Sequence, residues 1–291
     1  DRLVMLEEGA QVLVFEGIGE RPVLSINRGF SAPVIVGAER SAGDLAFLSA
    51  RDDDPFARYE AMQQLMLDTI LRAIGGTDRD GEAVIEAVRQ TLSDPELDPA
   101  FIGEAVLLPS EAFVGDQMKV ADPDAIHAAR EALRARIGEE LESLWRGAYA
   151  ASAANRFEYS PAAKGARRLR TVSLGYIAAS GAEDAPRIAI RQFEEADNMT
   201  DRQGALGVLS NSIAGERTQA LDAFYRRFRG NALVIDKWFS VQALWTRDDT
   251  IDTVEGLAKH SDFALSNPNR MRSLVGAFAA NQRAFHDVSR R

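Results

Sequence analysis

The stretch Phe56-Ala57-Arg58-Tyr59-Glu60-Ala61-Met62-Gln63-Gln64-Leu65-Met66-Leu67-Asp68-Thr69-Ile70-Leu71-Arg72-Ala73-Ile74 decides the fold class. Phe56, Tyr59, Met62, Met66, Ile70 and Ile74 recur every three or four residues, so a helix places them on one face. Gly75-Gly76 then supplies the stop that a helix C-terminus favours. Downstream the same spacing repeats. Val84, Val88 and Leu92 form one stripe, and Ile126, Ala129, Leu133, Ile137, Leu141 and Leu144 predict a single long helix from Pro123 to about Tyr149. Leu169, Val172, Tyr176 and Ala179 follow, then Leu206, Leu209 and Ile213, then Leu221, Phe224, Tyr225 and Phe228, then Val234, Trp238, Val241 and Trp245. The connections are short, so neighbouring helices should run antiparallel.

Upstream of that stretch the pattern is different. Leu3-Val4-Met5-Leu6, Gln11-Val12-Leu13-Val14-Phe15 and Val23-Leu24-Ser25-Ile26 are short runs of β-formers separated by Gly9, Gly17, Gly19 and Gly29. They predict a small β fragment, marginal alone, that would pack on something else. The expected fold is therefore mainly α, an irregular α-solenoid with a concave face, preceded by that fragment. The division falls at residues 1–37 and 38–291.

The totals narrow the function. The chain has 291 residues, 46% of them hydrophobic, which supports a real core. It has no cysteine, so thiolate metal sites, disulfides and thiol catalysis are excluded. The absence is compatible with a reducing compartment, and a cytoplasmic location is the expectation. The net charge of −10 and the lack of a long basic run argue against nucleic acid as a partner. No apolar run reaches the length of a membrane span. Arg167-Arg168-Leu169-Arg170 is expected on a solvated helix face, as are acidic runs such as Asp52-Asp53-Asp54.

No catalytic or metal motif stands out. The three histidines, His127, His260 and His286, do not form the His-Glu-x-x-His pair that puts two imidazoles on one helix face. There is no phosphate loop, dinucleotide fingerprint or nucleophile elbow. The polar signals lie at helix starts. Thr200-Asp201-Arg202-Gln203 has the spacing of a capping box, and Asn231 and Asn267 are good N-caps. In Asn267-Pro268-Asn269-Arg270-Met271-Arg272-Ser273-Leu274-Val275-Gly276-Ala277-Phe278, Pro268 fits the first helical position, and Met271, Leu274, Val275 and Phe278 should share a buried face. Arg270 and Arg272 are cations in the opening turns, where the helix dipole favours anions. An anion beside them, from an acidic side chain or a ligand, would remove the conflict.

Four stretches carry a family resemblance: Ser25-Ile26-Asn27-Arg28-Gly29-Phe30-Ser31-Ala32-Pro33, Asn198-Met199-Thr200-Asp201, Val234-Ile235-Asp236-Lys237-Trp238-Phe239, and Ser266 to Phe278. In this order they resemble the C-terminal half of bacterial aminopeptidase N, a family of zinc metalloaminopeptidases of the gluzincin group. The resemblance implies that residues 1 to about 37 end a β-sandwich domain and that the rest is a helical domain, truncated at its end. It implies a zinc cofactor in the whole enzyme, held by motifs upstream of this chain, and no catalytic or metal residue within it. The partners it implies are short peptides and the upstream catalytic domain. The helical domain would cover the active site and limit access to it. Arg272 would contact the C-terminal end of a peptide, with Arg270 beside it. The fragment alone would then be inactive. The reading from another class is a free-standing α-solenoid scaffold that binds protein partners.

Overall fold

The computed structural model describes residues 2–77, 81–154, 156–213 and 215–290. Its regular elements are helices, and no strand occurs among the described residues. They are α1 (Ala42–Arg51), α2 (Pro55–Ile74), α3 (Glu82–Ser93), α4 (Pro99–Ala105), α5 (Glu111–Asp116), α6 (Pro123–Glu140), α7 (Glu142–Ala151), α8 (Pro161–Ala179), α9 (Ala185–Glu195), α10 (Met199–Asn211), α11 (Glu216–Phe228), α12 (Ala232–Ala243), α13 (Thr250–Leu257) and α14 (Pro268–Met271). A π turn over Arg272–Gly276 leads into α15 (Ala277–Ala280), and α16 (Gln282–Phe285) follows.

The starts of these helices obey the capping rules. Ser41 accepts from the Asp44 N–H while Asp44 reaches back to the Ser41 N–H, a full capping box. Asp54, Asp98, Asp122 and Ser160 cap helices whose first residue is proline. The cap of α10 lies two residues before the expected one. Asn198 accepts from the Asp201 N–H at 2.9 Å and donates to the Asp201 carboxylate at 2.8 Å, so Asn198 and Asp201, rather than Thr200 and Gln203, form the reciprocal pair.

The helices enclose two apolar cores. The first is built from α1–α8 and contains Met62, Leu65, Met66, Ile70, Ile137, Trp145 and Tyr176. The second is built from α9 onward and contains Phe193, Leu206, Phe224, Phe239, Trp245 and Leu274. α8 faces both. Its Leu169, Val172, Tyr176 and Ile177 enter the first core, and its Leu174 enters the second. The close approach of α6 to α8 depends on Gly138, where a Cβ would come within 2.6 Å of the Tyr176 carbonyl oxygen.

The single long helix expected from Pro123 to Tyr149 is broken at Leu141. In an unbroken helix the Leu141 N–H would bond the Ile137 carbonyl. Here the buried Trp145 indole donates to that carbonyl at 3.1 Å, and the Leu141 N–H turns to Glu139. The indole also stacks on the Tyr176 ring, 4.2 Å between centroids, so the break lets Trp145 fill the core.

Residues 2–40 carry no strand, although their sequence alternates as strands do. Apart from one 3-10 turn at Arg28–Phe30 they form no regular element, and most side chains are exposed, among them Leu3, Leu6, Val12, Val14 and Ile35. A few short strands need partners to make a stable sheet, and the described residues provide none. Val23 packs against the first core and Arg21 lies 3.6 Å from Asp44, but the main anchor is at Arg28–Phe30. Arg28 pairs with Asp52 at 2.7 Å and with Asp53, the Gly29 N–H donates to both oxygens of Asp54, and Phe30 packs on Phe56. Asp52-Asp53-Asp54 is therefore a clamp rather than a merely solvated run, and Asp52 is buried.

Candidate functional site

Asn267 opens the last helical segment as expected: its side chain accepts from the N–H groups of Asn269 and Arg270 at 3.0 and 3.2 Å. The segment runs alongside α12 and is fixed to it at both ends. At the start, a guanidinium nitrogen of Arg270 lies 3.2 Å from an Asp236 oxygen, and the guanidinium sits over the Phe239 ring at 4.9 Å. The pair is a charge contact rather than a hydrogen bond, because neither of these two buried atoms has a hydrogen-bond partner. At the other end the Asn281 amide donates to the carbonyls of Ala243 and Trp245 at 3.1 and 2.8 Å.

Between the two anchors lies the π turn. The Ser240 hydroxyl on α12 lies 2.9 Å from the Ser273 carbonyl and 3.0 Å from the Asp236 carbonyl of its own helix, and its single proton serves one of them at a time. A continuous α-helix would give the Ser273 carbonyl to the Ala277 N–H. Here the Ala277 N–H bonds the Arg272 carbonyl one residue further back, which widens the turn, and the Ser273 carbonyl faces Ser240 instead.

The turn changes which residues are buried. Met271 and Val275, expected in the core, are exposed, while Arg270, Ser273 and Leu274 are buried. The two arginines separate accordingly. Arg270 is 6% exposed and committed to Asp236 and Phe239. Arg272 is exposed, and its side chain has no ion pair or hydrogen bond among the described residues. The structure therefore does not bring the two guanidinium groups together as one site.

The surroundings are aromatic. His260 packs against Tyr225, Trp238 and Phe239, and its Nδ1 accepts from the Asp262 N–H at 3.1 Å. Tyr225 donates to the Asp262 carboxylate at 2.6 Å, a bond that raises the phenol pKa above its ordinary value, with burial adding to it. Trp238 donates to the Leu221 carbonyl at 3.0 Å, in keeping with a core role. His127 is paired with Glu111 at 2.7 Å, and His286 packs on Phe285. No group of three His, Cys, Asp or Glu that could hold a metal occurs among the described residues.

Sequence reading missed the π turn and Ser240, because a side chain that captures a carbonyl from a neighbouring helix leaves no mark on hydrophobic spacing. It also missed Arg167, which is 6% exposed rather than on a solvated face. No helix among the described residues is long and apolar enough to cross a membrane.

Comparison with known proteins places this geometry in a class. Residues 42–290 match a domain of unknown function described as ARM repeats, DUF3458_C, and residues 1–39 match the companion DUF3458 domain, described as an Ig-like fold. The chain belongs to the DUF3458_C family. It is homologous to bacterial aminopeptidase N: it is 38% identical to aminopeptidase N of Caulobacter vibrioides over 99% of this chain and 34% of that protein. With aminopeptidase N of Escherichia coli it shares 35% identity over 96% of this chain and 33% of that protein. It also resembles the crystal structure of Legionella pneumophila aminopeptidase A in complex with aspartic acid, with a TM-score of 0.85 and 30% identity over 94% of this chain and 34% of that one. The chain thus spans about a third of the length of these relatives.

Proposed function

We propose that this chain is the helical, non-catalytic portion of a zinc aminopeptidase that removes N-terminal residues from peptides, and that Arg272 binds the C-terminal carboxylate of a short peptide. The observation that carries the site is the contrast between neighbours: Arg270 is buried on Asp236, and Arg272 is exposed with no anionic partner among the described residues. A free guanidinium offers paired N–H donors matched to a carboxylate. Homology to aminopeptidase N supports the peptide as its source.

The residues described do not fit a zinc site. Each histidine is engaged by a carboxylate, an aromatic cluster or a neighbouring ring, and no third ligand stands near. In this reading zinc belongs to residues outside the chain. The chain's own contribution is to cover the active site, limit access and hold the peptide's far end.

The test is Arg272→Ala in a complete aminopeptidase that includes this chain. KM for tri- and tetrapeptides should rise about tenfold, the loss of one charge-assisted contact, while turnover of a single-residue amide without a C-terminal carboxylate stays unchanged. An equal effect on both substrates would overturn the carboxylate role.

A further inference from the structure

A cleft of about 510 Å³ opens between α8, α10 and α12. Four cations line it, Lys164, Arg167, Arg168 and Lys237, and no acidic residue lines it among the described residues. In a chain of net charge −10 this is a local reversal of sign. Arg168 is partly neutralised by Glu104, at 2.7 and 3.0 Å. The other three have no carboxylate within ion-pair distance among the described residues.

Arg167 is the most telling. It is 6% exposed, its hydrogen bond goes to the Glu158 carbonyl at 2.9 Å, and its guanidinium lies 4.9 Å from the Phe157 ring centroid. The hydrogen bonds from Asn198 and Phe157, with a smaller contribution from the Arg167 charge, hold the Asp197 carboxyl below its ordinary value, so Arg167 acts on an acidic neighbour without pairing with it directly, and an anion in the cleft would give it a direct partner. The Lys164 ammonium lies 4.2 Å from the Tyr159 ring centroid, again a neutral partner.

An unpaired hydroxyl lies buried beside the cleft. Thr69 and Thr91 both return their hydroxyls to the backbone four residues earlier, at 2.8 and 2.9 Å. Thr171 lines the cleft, and its hydroxyl is buried with no hydrogen-bond partner among the described residues. It packs against Gly204, where a Cβ would come within 2.7 Å of it, so only glycine lets α10 approach α8 this closely.

We propose that this cleft is an oxyanion-binding site, taking a carboxylate or phosphate group between Arg167, Lys164 and Lys237. It unites two of the segments that stood out in the sequence, Asn198 to Asp201 and Val234 to Phe239, neither of which the Arg272 reading uses for binding. The proposal is independent of that reading.

The experiment is isothermal titration of the 291-residue chain with inorganic phosphate and, separately, with an acidic tetrapeptide amide, at constant ionic strength with chloride as control. The comparison variants are Lys164→Gln, Lys237→Gln and the double variant, with unliganded melting curves to confirm folding. Binding should weaken about tenfold for each lysine removed. Saturable binding of phosphate alone would assign the site to free phosphate, and of the peptide alone to peptide carboxylates; either supports the proposal. No saturable binding of either, or binding unaffected in the folded double variant, would overturn it.

Discussion

Arg270 and Asp236 approach to 3.2 Å with their side chains 7% and 18% exposed, and this contact fixes the last helical segment to α12. Two residues on, Arg272 stands in solvent. Removing one partner of a buried pair leaves the other charge unmatched, which costs about 3–5 kcal/mol. Arg270→Ala should destabilise the chain by that amount in urea denaturation. Arg272→Ala should change stability by no more than about 0.5 kcal/mol, as exposed substitutions do. Similar losses for both would remove the division of labour between them.

Ser240→Ala tests the origin of the π turn. Without the hydroxyl, the Ser273 carbonyl becomes available to the Ala277 N–H, and the segment should relax to a regular α-helix. Loss of the bond alone costs about 1 kcal/mol. The two anchors, Arg270 on Asp236 and Asn281 on Ala243 and Trp245, were set by the wider turn, so one must shift. A crystal structure of the variant that retains the Ala277 to Arg272 bond would show that the anchors, and not Ser240, impose the π geometry.

Gly138→Ala and Gly147→Ala make a matched pair. At Gly138 a Cβ would meet backbone atoms, the Tyr176 carbonyl oxygen at 2.6 Å and the Ser180 nitrogen at 2.8 Å, which cannot swing aside. Overpacking of this kind costs about 1–3 kcal/mol. At Gly147 nothing lies within 4 Å, so alanine should gain up to about 1 kcal/mol of helix propensity. Thermal unfolding of the two variants in parallel should move in opposite directions.

The sequence legibly predicted what depends on spacing and caps. The helical array from Ala42 onward, the caps at Asn231 and Asn267, and the core placement of Trp238 follow from periodicity and short-range hydrogen bonding. What it could not show depends on long-range donors. The Trp145 indole bonds the Ile137 carbonyl where one helix breaks, and the Ser240 hydroxyl faces the Ser273 carbonyl where another widens. Arg28 draws Asp52 into burial from 24 residues away. The strand-like opening was legible as composition, and its pairing depends on partners that the described residues do not include. For the candidate site, Arg272 was legible as an unmatched cation, but Arg270 looked the same until Asp236 was placed beside it.

Acid should loosen the junction of α7 and α9. The Arg146 hydrogen bonds hold the Asp184 carboxyl below its ordinary value of 3.8, and Arg247 does the same for Asp249. A depressed folded pKa means the unfolded chain takes up the proton first as pH falls. The stabilisation is therefore complete above the ordinary value, declines as pH drops through it, and is gone below the folded value. Asp184→Asn should flatten the fall in stability between about pH 5 and pH 2, read from urea midpoints across that range. An unchanged slope would mean that other carboxylates govern the acid response.

α8 sends Leu169, Val172, Tyr176 and Ile177 one way and Leu174 the other. Each core thus counts one wall that the other also owns. Two halves separated anywhere along this helix would each keep an open side, so neither could serve as an autonomous folding unit. Heating should accordingly produce one calorimetric transition for the helical array, with both cores melting together.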